Sequence, residues 1–206
     1  MSAASIPASE ALQRLREGNR RFVKEATSRH SFEWTEAQEP FAIILGCADS
    51  RVPAEIVFDQ GLGDLFVIRV AGNIVAPSQV GSVEFAAERY HTRLVVVLGH
   101  SQCGAVLATL EELQRPSDSQ SRNLRSIVDR VRPSVEPLLA GPHSHDPNAL
   151  VEQAVRANVR VSVNQLRHGS DVLEQLIQEQ GLVVVGAEYS LETGVVDFFD
   201  GVAETG

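Results

Sequence analysis

At 206 residues the chain is sized for one domain, 1–206, and with 43% hydrophobic and 22% charged residues it can bury a sizeable core. A formal charge of −9, with no basic tract to offset it, argues against a nucleic-acid partner. No apolar run approaches the roughly 20 residues of a membrane span.

Ser9 and the spacing of Leu12, Leu15, Phe22 and Val23 predict an amphipathic N-terminal helix with Arg14, Arg16, Arg20, Arg21 and Lys24 on its polar face. Residues 26–40 read as a loop ending at Pro40. Apolar, β-branched runs then predict strands near 42–46, 65–70, 94–98 and 182–187, and helical patterns fall near 53–58, 79–90, 104–113, 123–131 and 149–167. Asp171-Val172-Leu173-Glu174 reads as a capping box opening a short helix that Gly181 ends. Val195 to Phe199, after the turn Glu192-Thr193-Gly194, predicts a hairpin or edge strand. Alternation of this kind gives an α/β fold: a mainly parallel central sheet of about four strands plus a C-terminal edge strand, helices on both faces and an extended N-terminal helix.

Segments 116–120 and 141–148 are loop-like, and the His143-x-His145 pair in the second reads as solvated surface. Gly61-x-Gly63 lacks the third glycine and following helix of a dinucleotide site. Two cysteines, no disulfide framework and an opening Met1-Ser2-Ala3-Ala4-Ser5 without a charged or apolar signal region predict a cytoplasmic protein.

The chemistry concentrates in two blocks, Cys47-Ala48-Asp49-Ser50-Arg51 and His100-Ser101-Gln102-Cys103-Gly104. Each follows a predicted buried strand, where α/β sheets place their sites. Cysteines are often buried small hydrophobes, but these two are flanked by polar residues, and Cys103 has His100 rather than a second cysteine three positions before it. Two thiolates and an imidazole make a three-ligand zinc set, with the open position that marks a catalytic rather than a structural ion. A helix starting after Cys103 should lower the pKa of its thiol. Asp49 could fill the fourth position or accept a hydrogen bond from metal-bound water, with Arg51 holding the carboxylate in a bidentate pair.

Cys-x-Asp-x-Arg followed by His-x-x-Cys resembles the β-class carbonic anhydrases. The likeness continues through Asp64 to Asn73, Gly81 to Ala86, Asn158-Val159 and Tyr189 to Phe199, and covers roughly residues 10–200. It implies zinc-dependent reversible hydration of carbon dioxide to bicarbonate and a proton, with one Zn2+ per subunit on Cys47, His100 and Cys103 and a gating dyad of Asp49 and Arg51. Gln38, nine positions before Cys47, matches a substrate-binding glutamine; Ile44, not a tryptophan, stands three positions before it; and Trp34 lies elsewhere. The chain thus resembles the open-site subclass without a second bicarbonate pocket. Phe66 corresponds to an apolar wall of the substrate site, and Phe85 stands where plant relatives carry a tyrosine. The resemblance further implies a homodimer or homotetramer, with residues 1–40 embracing a partner and Gln38 crossing to its site. Hydrolysis of carbonyl sulfide or carbon disulfide on the same ligands is the alternative activity, and a zinc-bearing bicarbonate sensor the alternative of another class.

Overall fold

A computed structural model describes residues 6–28, 38–116, 121–142 and 146–202. Trp34, His143 and His145 lie outside the described residues. The chain divides into two compact units, Met1–Gln38 and Glu39–Gly206.

The first unit holds helix α1, Ala8–Ser28. Glu10 sits in its first turn, where a carboxylate suits the helix dipole, and pairs with Arg14 one turn later at 2.7 Å. Its apolar residues Leu12, Leu15, Phe22 and Val23 are all exposed.

The second unit is built on a five-stranded sheet of β1 (Ala42–Gly46), β2 (Leu65–Arg69), β3 (Leu94–His100), β4 (Val183–Tyr189) and β5 (Val196–Asp200). Its order is β2-β1-β3-β4-β5. The first four strands are parallel, and β5 runs antiparallel beside β4. The helices are α2 (Ala54–Val57), α3 (Pro77–Arg89), α4 (Gly104–Gln114), α5 (Arg122–Val135), α6 (Pro147–His168) and α7 (Asp171–Gln180). No helix among the described residues is long and apolar enough to cross a membrane.

Strand alternation assigns the two faces. Ile43, Leu45, Ile68, Val95, Val97 and Val184 form one core with residues of α3, α6 and α7. Ala42, Ile44, Val96, Leu98, Val185 and Ala187 face the other way, against Ala54 and Val57 of α2, Phe58 and Leu191. Helix α6 lies close on its side of the sheet: a Cβ at Gly99 would stand 2.5 Å from Val159 Cγ2.

Several boundaries differ from expectation for local reasons. Strand β3 runs on to His100, because Leu98, Gly99 and His100 stay in register with Ala187, Glu188 and Tyr189 of β4. Helix α5 passes through Pro133 to Val135, its buried face of Val128, Val131 and Val135 outweighing the hydrogen bond the proline cannot make. Ser170, not Asp171, caps α7 by accepting from the Leu173 amide; Asp171 instead stands in the first turn with Glu174. Gly181 ends the helix at φ 70, in the left-handed conformation a glycine adopts without Cβ strain.

The topology itself marks a site. From β1 the chain goes outward to β2, whereas from β3 it goes the other way to β4. The two connections diverge, leaving a crevice at the carboxyl ends of β1 and β3, the place where parallel sheets put their ligands.

Candidate metal centre

Both chemical blocks stand at those carboxyl ends. Cys47 follows directly after β1, His100 ends β3, and Cys103 is the residue before α4. All three are buried, and their ligand atoms lie within 4.8 Å of one another. The two sulfurs are 3.9 Å apart. Two thiolates on one tetrahedral zinc at about 2.3 Å each stand about 3.8 Å apart, so the spacing fits that ion.

The imidazole is fixed by its far nitrogen. Nδ1 of His100 lies 2.9 Å from the Ser101 carbonyl and donates to it. Nε2 is buried without a hydrogen-bond partner, which is the state of a nitrogen meant for a metal. Cys47 Sγ accepts from the Gly72 amide at 3.3 Å. Gly72 is held in turn by Asn158, whose Nδ2 donates to the Gly72 carbonyl at 2.7 Å. Gly72 has φ 70, and a Cβ there would press Ala105 Cβ at 3.0 Å.

The donors share protons. The hydrogen bond from Cys103 pulls the Cys47 thiol down to favour thiolate, and the same bond, with burial, pushes the Cys103 thiol up. The helix start lowers Cys103 through the amides of Val106 and Ala105, as expected, but this is outweighed by the neighbouring sulfur. Burial opposes the imidazolium at His100, yet the neighbouring Cys47 sulfur and its charge raise that pKa overall. A dication between these groups would replace this repulsion by attraction.

Asp49 is pinned beside the trio. Arg51 reaches it with Nε to Oδ1 at 2.9 Å and Nη2 to Oδ2 at 2.8 Å, and the Arg51 amide adds a bond to Oδ1 at 3.0 Å. These bonds hold the Asp49 carboxyl well below the usual carboxylate range and raise the Arg51 guanidinium. Oδ2 of Asp49 is 3.8 Å from His100 Nε2, close enough to meet whatever that nitrogen binds.

Phe66 pairs in register with Ile43, four residues before Cys47, and clusters with Phe85 and Tyr90 at ring distances of 6.3 and 6.1 Å. Phe85 is exposed on α3. Gln38 is exposed at the end of the first unit.

Two supporting residues were missed as such in the sequence. Arg69, at the end of β2, donates from Nε to the Cys47 carbonyl at 3.1 Å and from Nη2 to the Asp49 carbonyl, stapling the first block. A charge closing an apolar strand was its signal. Asn158 stands amid Val155, Val159 and Leu166 on the buried face of α6, where an amide needs a specific partner.

Comparison with known proteins extends beyond these residues. The family model described as carbonic anhydrase matches residues 42–196. A carbonic anhydrase of Mycolicibacterium smegmatis is 38% identical over 199 residues, covering 93% of each chain. Carbonic anhydrase 2 of Mycobacterium tuberculosis is 37% identical over 198 residues, again covering 93% of each. The crystal structure of a β-carbonic anhydrase of Aspergillus fumigatus superposes with a TM-score of 0.81 at 25% identity, over 94% of this chain and 92% of that one. With sequence and fold related over nearly the whole length, the chain belongs to the carbonic anhydrase family, in its β class, whose reaction is the reversible hydration of carbon dioxide.

Proposed function

We propose that Cys47, His100 and Cys103 hold one Zn2+ per subunit and that Asp49 and Arg51 serve the hydration of carbon dioxide to bicarbonate and a proton there. The observation that carries this is the buried trio, its sulfurs 3.9 Å apart, beside a carboxylate locked in two-point contact with a guanidinium. Zinc held by these three residues would supply a Lewis acid that makes water acidic enough to react near neutral pH.

The chain's own residues do the rest. Asp49, kept ionised by Arg51, is an obligate acceptor and orients the proton of the attacking water, aiming the oxygen lone pair at the carbon. Arg51 also holds the carboxylate off the fourth ligand position, so the pair works as a gate. The Gly72 amide stabilises the Cys47 thiolate, and Arg69 fixes the backbone from which Cys47 and Asp49 project. Gln38 donates to a substrate oxygen. The released proton passes to solvent buffer.

Phe66 and Phe85 are assigned to the apolar wall of a substrate pocket in an assembly. Phe66 stands three residues before the carboxyl end of its strand, roughly 10 Å back along the sheet at about 3.3 Å per residue, so it serves the site of a second copy. The exposed apolar residues of α1 fit the same arrangement, in which residues 1–40 of a single functional domain pack on a partner in a homodimer or homotetramer. Two free cysteines acting as thiolate ligands suit a reducing cytoplasm.

The test is stopped-flow carbon dioxide hydration by zinc-loaded protein at about pH 8.5, where a two-thiolate site should be active. Turnover lost in Cys103→Ala is the expected result. Zinc-loaded protein inert toward carbon dioxide but active on carbonyl sulfide would overturn the substrate assignment.

A further inference from the structure

We propose that Glu192 is a positioning residue for the metal centre: its carboxylate holds the turn between His100 and Cys103 in ligating shape. This rests on the reading that the trio binds zinc.

Only Ser101 and Gln102 separate the two ligands, and Gln102 has φ 54, a left-handed conformation that a side-chain-bearing residue adopts at a cost. Such a turn needs outside support, and both of its side chains find it in one group. Ser101 Oγ donates to Glu192 Oε2 at 2.7 Å, and Gln102 Nε2 donates to Glu192 Oε1 at 2.7 Å. Charge-assisted bonds of this length to both carboxylate oxygens fix position as well as distance. Glu192 lies some ninety residues away in sequence, in the turn between β4 and β5.

The effect passes directly to a ligand. The Ser101 carbonyl is the acceptor that orients His100 through Nδ1, so a shift of Ser101 turns the imidazole and moves Nε2. Ser101 is also held by its amide, which donates to the Tyr189 carbonyl at 3.0 Å, and by Oγ, which accepts from the Leu191 amide at 2.9 Å. Ser101, Gln102 and Glu192 line a cleft of about 710 Å³ that Arg156 and Glu188 also border.

A purely architectural role is the competing account, because Ser190 Oγ also donates to Glu192 at 3.2 Å within its own turn. The two separate by metal release. Zinc transfer from the loaded protein to a chromogenic chelator should be about 10-fold or more faster in Glu192→Ala, within the range of outer-shell effects on metal sites. Gln102→Ala, which removes one of the two bonds and leaves the β4–β5 turn whole, should fall between it and wild type, as should Glu192→Gln. The cobalt-substituted variants should show shifted visible bands, while the metal-free proteins melt together. Wild-type release rates and cobalt spectra in the folded variants would overturn the proposal, as would a lowered melting temperature with unchanged release. If Glu192→Ala does not fold, Gln102→Ala and Glu192→Gln decide the matter. Wild type that retains no zinc would overturn the zinc reading itself, and this inference with it.

Discussion

Arg51 grips Asp49 at both carboxylate oxygens, Nε on Oδ1 at 2.9 Å and Nη2 on Oδ2 at 2.8 Å, while that same Oδ2 stands 3.8 Å from His100 Nε2. The carboxylate therefore has two possible allegiances, the guanidinium or an ion on His100. Arg51→Ala should release it to the metal. The expected outcome is retained zinc, hydration slowed about 100-fold or more, and a carboxylate oxygen as fourth ligand by X-ray absorption or crystallography. An active variant with water still on zinc would count against this gate.

Asp49 is already ionised far below any working pH, because Arg51 depresses its pKa. It therefore cannot produce a rise in rate near neutrality. Two thiolates give zinc more charge than imidazoles do, so the rate should climb toward alkaline pH, with a midpoint above about 7, the value for a three-histidine zinc site. Asp49→Asn should lower the plateau and leave the midpoint close to its place. A profile flat from about pH 6 to 9 would reject the first statement, and loss of the alkaline rise in Asp49→Asn would reject the second.

The same pKa has a stability consequence with a definite sign. A carboxyl depressed in the folded state contributes stability above its unfolded pKa of about 3.9 and loses it as pH falls toward the folded value. Metal-free wild type should thus lose more stability between pH 5 and pH 3 than metal-free Asp49→Asn, as read by urea denaturation at each pH. Equal losses would show that the Asp49–Arg51 contact contributes nothing to folding.

Asn158 joins the core to the centre through the Gly72 carbonyl, whose own amide bonds Cys47. Asn158→Ala strands a buried acceptor, and a cost of about 1–3 kcal/mol is expected in chemical denaturation. Zinc affinity should fall as well, because the Gly72 amide is no longer held against the sulfur. Loss of stability with unchanged affinity would separate the two roles.

Gly99→Ala places a Cβ 2.5 Å from Val159 Cγ2 inside the packed face between β3 and α6. Overpacking of this kind typically costs about 1–3 kcal/mol. The double variant with Val159→Ala should recover part of that loss in thermal denaturation; no recovery would mean that the backbone, not Val159, resists the methyl group.

Much of this protein is written in its local sequence. The apolar β-branched runs at 42–46 and 94–98 became central parallel strands because only a sheet covered on both faces buries nearly every residue of such a run. The two chemical blocks close after those runs marked the carboxyl ends of the strands, and the types Cys, His and Cys pointed to a metal site. Family likeness supplied the function, and with it the roles expected of Asp49 and Arg51 that spacing alone left open.

Other features depend on partners far along the chain. That β1 and β3 are neighbours, so that residues 47 and 100 meet, follows from strand order, which no local pattern states. The length of β3 to His100 was set by pairing with β4, and the persistence of α5 through Pro133 by its buried face. The supports given by Arg69, Asn158 and Glu192 are hydrogen bonds spanning tens of residues, made by side chains whose types are common on any surface. The sequence by itself determined the chemistry of the donors and the elements that carry them, because both depend on residue type and short-range periodicity. Only the tertiary structure decided that the two sulfurs stand 3.9 Å apart and which distant groups hold them there, because those distances arise from packing across the whole sheet.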